Sequence, residues 1–146
     1  MMPLKHSTVV VPVDFSPDSE RAICSGLERV DEPSGLHVVH VMQPLDYGSP
    51  GVLFGTVTDQ TREKAVTENL QKLLEQTGAA GATTAVLIGD PGLKAADYAE
   101  QVNADLLIIP SHGYHGVKRL LLGSTAERII RHAHCSVLVL RRSDAE

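Results

Sequence analysis

The chain has 146 residues, a length that suits one domain spanning 1–146. Apolar residues make up 42% and aromatic ones only 3%, so the core has to be aliphatic, built from the Val, Leu, Ile and Ala that fill the space beside parallel strands. A net charge of −5, with no long run of like charge, excludes the concentrated basic face that broad nucleic-acid binding needs.

Thr8 to Val13 is an apolar, mostly β-branched run, the pattern of a strand buried on both faces. Ser16-Pro17-Asp18 then predicts a helix start, with Ser16 as cap, Pro17 at the first helical position, and Asp18 and Glu20 at the positive end of the dipole. Ala22, Ile23, Gly26, Leu27 and Val30 form its apolar stripe, Cys24 reads as a small core residue, and Pro33-Ser34-Gly35 ends the segment. Leu36 to Met42 is the second strand, with His40 inside it as a hydrogen-bonded core histidine. A Gly- and Pro-rich loop from Gln43 to about Thr58 follows, long enough to suggest a lid or a mobile surface loop. Asp59 or Thr61 opens a long helix carrying Val66, Leu70, Leu73 and Leu74, which Gly78 stops.

Ala82 to Ile88 is the third strand. Gly89-Asp90-Pro91 repeats the device of an acidic cap before a proline, and Leu93, Ala95, Ala96, Ala99 and Val102 line the inner face of the next helix. Asp105 to Ile109 is the fourth strand and residues 110–123 a glycine-bearing loop. Ser124-Thr125-Ala126-Glu127 has the form of a capping box, and Ile129, Ile130 and Ala133 turn the helix behind it inward. Ser136 to Leu140 is the last strand, before a charged tail. The alternation of strand and helix, without repeat or linker, predicts an α/β fold: a parallel sheet with helices on both faces. Ligands on such sheets bind beyond the carboxyl ends of the strands, which directs attention to Val13-Asp14, Val41-Met42 and Ile109-Pro110.

Cys24 and Cys135 do not make a disulfide framework, the amino terminus lacks the apolar stretch of a signal peptide, and no apolar run approaches the ~20 residues of a membrane span. A cytoplasmic location is expected, with no membrane partner. His112 and His115, with His132, His134 and Cys135, invite comparison with a zinc site. Zinc needs about four convergent ligands, and the two groups flank one short helix, so no metal site is expected. No nucleophile elbow and no Ser-His-Asp context suggests a catalyst.

The segment Pro110 to Thr125 carries the strongest chemical signal. Gly113 follows a strand and Gly123 precedes a helix; glycine permits close backbone approach to a phosphate and positive φ. The first helical turn offers N–H groups to an anion, Ser124 and Thr125 add hydroxyls, and Lys118 and Arg119 lie within the loop. The competing reading is an ordinary loop with Ser124 serving only as a cap. Neither a Walker loop nor a dinucleotide fingerprint is present. Asp14, at the end of the first strand, suits an adenine amine or ribose hydroxyls; the alternative is a carboxylate capping the following helix.

Val10 to Ser16, His40-Val41, Ser111-His112-Gly113 and the block from Leu120 through Gly123-Ser124-Thr125 to Leu140 together resemble the universal stress protein family, over Thr8 to Leu140. The resemblance implies a five-stranded, doubly wound, Rossmann-like sheet of order 3-2-1-4-5. It implies a homodimer through strand 136–140, and ATP, with Mg²⁺, as ligand. In that reading Gly113 lies near ribose and phosphates, and Gly123, Ser124 and Thr125 hold the phosphates. Asp14 faces the nucleoside with Pro12 and Val13 beside it, the Val41 backbone faces adenine, and Ile109 lies under the base. The chain departs from the family pattern at Pro110, which stands where the first glycine of the loop motif belongs and lacks its N–H. The function implied is a nucleotide-responsive binding module in stress response. The alternatives are a dimeric interaction protein that has lost ATP binding through Pro110, and a slow nucleotide hydrolase.

Overall fold

A computed structural model describes residues 5–111 and 122–141 of the chain. The first apolar run forms β1 (Val9–Pro12), in which Val9, Val10 and Val11 are wholly buried. The chain then turns through Phe15 at φ 62° into α1 (Asp18–Arg29). Ser16 does not cap this helix: Pro17 holds the cap position, no side chain closes the turn, and Ser16 lies buried. The Asp14 carboxylate instead takes the Ser16 N–H at 3.0 Å, so the turn is tied off before the helix begins. Ala22, Ile23 and Gly26 form the buried stripe, and Cys24, off that stripe, is exposed rather than core.

β2 (Leu36–Met42) follows a 3₁₀ turn over Pro33–Gly35. The segment expected as a plain loop contains one helical turn, α2 (Pro50–Leu53), because Pro50 sets the helical φ that a first position requires. α3 (Asp59–Thr77) is capped at Thr58 by reciprocal bonds with Thr61 and ends at Gly78, φ 76°, where only glycine is unstrained. β3 (Thr83–Ile88) leads to Asp90, whose Oδ1 accepts the Leu93 N–H at 3.0 Å and opens α4 (Pro91–Gln101) as expected. Ala95, Ala96 and Ala99 are buried, whereas Leu93, expected inside, is 39% exposed.

β4 (Leu106–Pro110) precedes α5 (Ser124–His132) and β5 (Ser136–Leu140). The capping box at Ser124 is not formed: Gly123 is the cap, and Ser124 already lies in the helix. A buried stripe of Ala126 and Ile129 turns inward, and Ile130, one position round, is 43% exposed.

The strands are all parallel, in the order β3-β2-β1-β4-β5, the doubly wound order that the family resemblance implies. Two aliphatic cores result. Val9, Val11, Val38 and Ile108 meet Ile23 of α1 and Leu70 and Leu74 of α3. On the other face Val10, Val39, Leu107 and Ile109 meet Ala95 and Ala99 of α4 and Ala126 and Ile129 of α5. Burying each such Val, Leu or Ile contributes about 1.5–3 kcal/mol. Small residues on α4 bring it close to α5: a Cβ built on Gly92 falls 2.6 Å from Arg128 Cβ and 3.2 Å from the Thr125 carbonyl oxygen. Among the described residues no helix is long and apolar enough to cross a membrane.

The register explains where the sheet opens. β4 and β5 pair from Leu106↔Ser136 to Pro110↔Leu140, but β1 and β4 pair only at Val9↔Leu106 and Val10↔Leu107. Beyond Leu107 the two central strands diverge, at the point where the strand order reverses.

Candidate functional site

A cavity of about 400 Å³ occupies that divergence, within the roughly 300–1,000 Å³ typical of small-molecule sites. It is lined by Pro12, Val13 and Asp14 from the end of β1, Val41 from β2, Ile109 and Pro110 from β4, and Gly123, Ser124 and Thr125 at the start of α5. The structure thus gathers the sequence-derived candidates into one space, except Gly113, which lies outside the described residues together with His112, Lys118 and Arg119.

The β1 side is built as a clamp. The Val13 N–H reaches the Val39 carbonyl at 2.8 Å, and His40 Nδ1 lies 2.7 Å from the Val13 carbonyl oxygen. A carbonyl only accepts, so Nδ1 carries the proton. The His40 ring also packs on Phe15, with centroids 4.8 Å apart, and holds that residue's left-handed backbone in place. A bulky residue at positive φ costs on the order of 1–3 kcal/mol and persists only where its surroundings fix it, commonly beside a ligand. Asp14 is exposed at the rim, and its Oδ1 accepts from Ser16 N–H at 3.0 Å and Ser19 Oγ at 3.5 Å. Both readings of Asp14 therefore meet in one residue: its carboxylate closes the turn ahead of α1 and lines the cavity.

The opposite wall is the amino end of α5. Gly123 sits at φ −69°, ψ 160°, so its value here is not the positive φ expected of it but its lack of a side chain at the cavity wall. Its N–H goes to the Ser111 carbonyl at 2.7 Å and its carbonyl to the Glu127 N–H at 3.0 Å. The donors that the helix end directs at an anion are those after Gly123, beginning with Ser124 and Thr125.

Pro110 costs the sheet nothing here. The Ser111 N–H points to β5, reaching the Leu140 carbonyl at 2.8 Å. Alternation along the strand turns the Pro110 nitrogen towards β1, where no ladder partner exists.

Ser19, His40, Gln43, Pro91, Ala126 and Ile129 also line the cavity and were not assigned to it from sequence. Pro91 was detectable in principle, since Gly89-Asp90-Pro91 opens a helix at the same end of the sheet. His40 and Ile129 read as core, which they also are. Among the described lining residues there is a carboxylate, Asp14, and no Lys or Arg.

His134, next to Cys135, faces a carboxylate of α4. His134 Nε2 lies 3.3 Å from Glu100 Oε2, and burial pushes the Cys135 thiol up from its ordinary value. Among the described residues no group of three His, Cys, Asp or Glu side chains is placed to hold a metal ion.

Comparison with known proteins agrees with the fold and extends it. The model of the universal stress protein family matches residues 5–141. Universal stress protein MJ0531 of Methanocaldococcus jannaschii is 31% identical over 147 aligned residues, covering 97% of this chain and 85% of its own. The solved structure of MJ0577 superposes with a TM-score of 0.77 at 22% identity, covering 97% of this chain and 100% of that one. A universal stress protein from Archaeoglobus fulgidus, solved in complex with dAMP, superposes with a TM-score of 0.57 at 23% identity, covering 92% of this chain and 98% of its own. The likeness runs from the first strand to the last rather than over one loop, and on that ground the chain belongs to the universal stress protein family.

Proposed function

We propose that this protein is an ATP-binding universal stress protein: a cytoplasmic, single-domain, nucleotide-responsive binding module rather than a turnover enzyme. The observation that carries this reading is the cavity itself, which unites the end of β1, the end of β2, the end of β4 and the start of α5 at the reversal of strand order. The dAMP complex of the Archaeoglobus relative supports an adenine nucleotide as the ligand class.

Each group has a part in that binding. Val13, Val41 and Ile109 are buried and supply apolar walls for the base, with the Val41 backbone at its edge. Asp14 accepts hydrogen bonds from ribose hydroxyls. Gly123 leaves room for the phosphates, and Ser124 and Thr125 donate to them with the dipole of α5 behind. Mg²⁺ would accompany the triphosphate and offset its charge. Pro110 is compatible with this arrangement, because its missing N–H belongs to no ladder. No residue is assigned to hydrolysis. The nucleotide shifts the order of the 43–58 segment, which starts at the cavity through Gln43, and so alters the surface shown to partners.

Analysis of the small molecules released on denaturing the purified protein, with titration calorimetry against ATP and Mg²⁺, tests the reading. Binding is expected in the wild type and loss of at least tenfold in affinity in Gly123→Val, whose branched side chain would fill the phosphate wall while the fold persists. Equal affinity in the two proteins would remove the phosphate assignment, and no binding in the wild type would remove the function.

A further inference from the structure

Gln43 directly follows β2 and lines the cavity two residues beyond Val41. Its backbone is anchored from a different element: Arg62, in the first turn of α3, donates through Nη2 to the Gln43 carbonyl oxygen, and Arg62 Nη1 stands 3.4 Å from Asp59 Oδ1. Its side chain is exposed, and among the described residues no hydrogen-bond partner takes its amide. A residue fixed at its main chain with an unengaged carboxamide at the rim of a cavity is prepared for recognition, since less order remains to be imposed on binding.

We propose that Gln43 is a specificity-determining residue that selects adenine over guanine at the base end of this cavity. The assignment rests on the nucleotide reading above and adds the group that discriminates. A carboxamide presents one N–H donor direction and one carbonyl acceptor beside each other. Adenine presents the complementary pair, its amino group as donor next to a ring nitrogen as acceptor, which is the pattern glutamine reads on this base elsewhere. Guanine offers two acceptors, O6 and N7, on the corresponding edge, so the amide oxygen would face an acceptor and go unpaired. Sites built to hydrogen-bond a ligand reject analogues that leave their polar groups unsatisfied. The side chains of Val13, Val41 and Ile109 accept either purine face, so discrimination falls to the groups at the base edge, the Val41 backbone and the Gln43 carboxamide.

Calorimetric or fluorescence titration with ATP and with GTP, on wild type, Gln43→Leu and Gln43→Glu, tests the assignment. Wild type is expected to prefer ATP. Gln43→Leu should weaken ATP about tenfold, in line with one bidentate side chain–base contact, and leave GTP little changed, so the ratio of the two affinities collapses. Gln43→Glu should weaken ATP further, because a carboxylate only accepts and would oppose the ring nitrogen. The position is exposed, so melting temperatures should coincide and show that the variants are folded. An ATP-to-GTP ratio unchanged by Gln43→Leu overturns the role of Gln43 alone. A wild type that binds neither nucleotide overturns the proposed function, and this assignment with it.

Discussion

Asp105 stands at the amino-terminal end of the sheet and binds the chain start to it. Its Oδ2 accepts from Ser7 Oγ at 2.8 Å, Ser7 N–H at 2.9 Å and Thr8 N–H at 3.1 Å. These bonds, led by the Ser7 hydroxyl, hold its carboxyl below the ordinary value of 3.8. A carboxyl with a depressed folded-state value stabilises the fold above its unfolded value, and that contribution disappears as pH falls through the folded value. Asp105→Asn should therefore lower the melting temperature at pH 7, and the gap to wild type should close as pH falls below about 4. A gap constant from pH 7 to pH 3 would mean that the ionised carboxylate is not what matters. Sequence alone marked Asp105 only as the first residue of a strand, because its partners lie 97 and 98 positions away. The place of Asp14 at the cavity was legible for the opposite reason: it follows from standing where a buried strand ends.

Among the elements, those with strong local chemistry were read almost to the residue. Gly78 ends α3 and Asp90 caps α4 because both effects are confined to one turn. The readings at Ser16 and Ser124 failed where another hydrogen bond took precedence, a local one at Ser16 and a longer-range one at Gly123. The Asp14 carboxylate takes the N–H of Ser16, and the Ser111 carbonyl takes that of Gly123 and shifts the cap to that residue. Cys24, Leu93 and Ile130 were placed inside because periodicity gives the width of an apolar stripe poorly; in each helix the small or central residues fill the contact and the neighbour stays in water. The contact of α4 with α5 at Gly92 was not legible at all, since close approach has no local signature. It carries its own prediction. Gly92→Ala should destabilise the fold by about 1–3 kcal/mol, because the new Cβ meets Arg128 Cβ and the Thr125 carbonyl rather than open space. Since Pro91 and Thr125 both line the cavity, the same change should weaken nucleotide binding. Chemical denaturation and titration calorimetry read the two effects; an unchanged denaturation midpoint would show that the helices separate freely.

At the scale of the whole molecule, β5 is a sheet edge, and its Val137, Leu138, Val139 and Leu140 are only half-buried. An apolar edge without proline is a template for another strand, and two copies related by a twofold axis would satisfy each other. The protein is expected to be a homodimer through Ser136–Leu140, and Val139→Pro to be monomeric, since proline cannot donate to the ladder between copies. Light scattering across a concentration series decides it: a monomeric wild type or a dimeric variant would place any interface elsewhere. The order of the strands was accessible from sequence only through the family resemblance, because alternation gives parallel strands without saying which are neighbours. The short pairing of β1 with β4 was not accessible in any form, and it has a mechanical consequence. Two residue pairs join the β3-β2-β1 half of the sheet to the β4-β5 half, against four between β1 and β2 and five between β4 and β5. A load applied across the sheet would concentrate along that seam and part it first at the carboxyl ends. A small molecule lodged there would act as a rivet, changing the stiffness of the protein more than its shape.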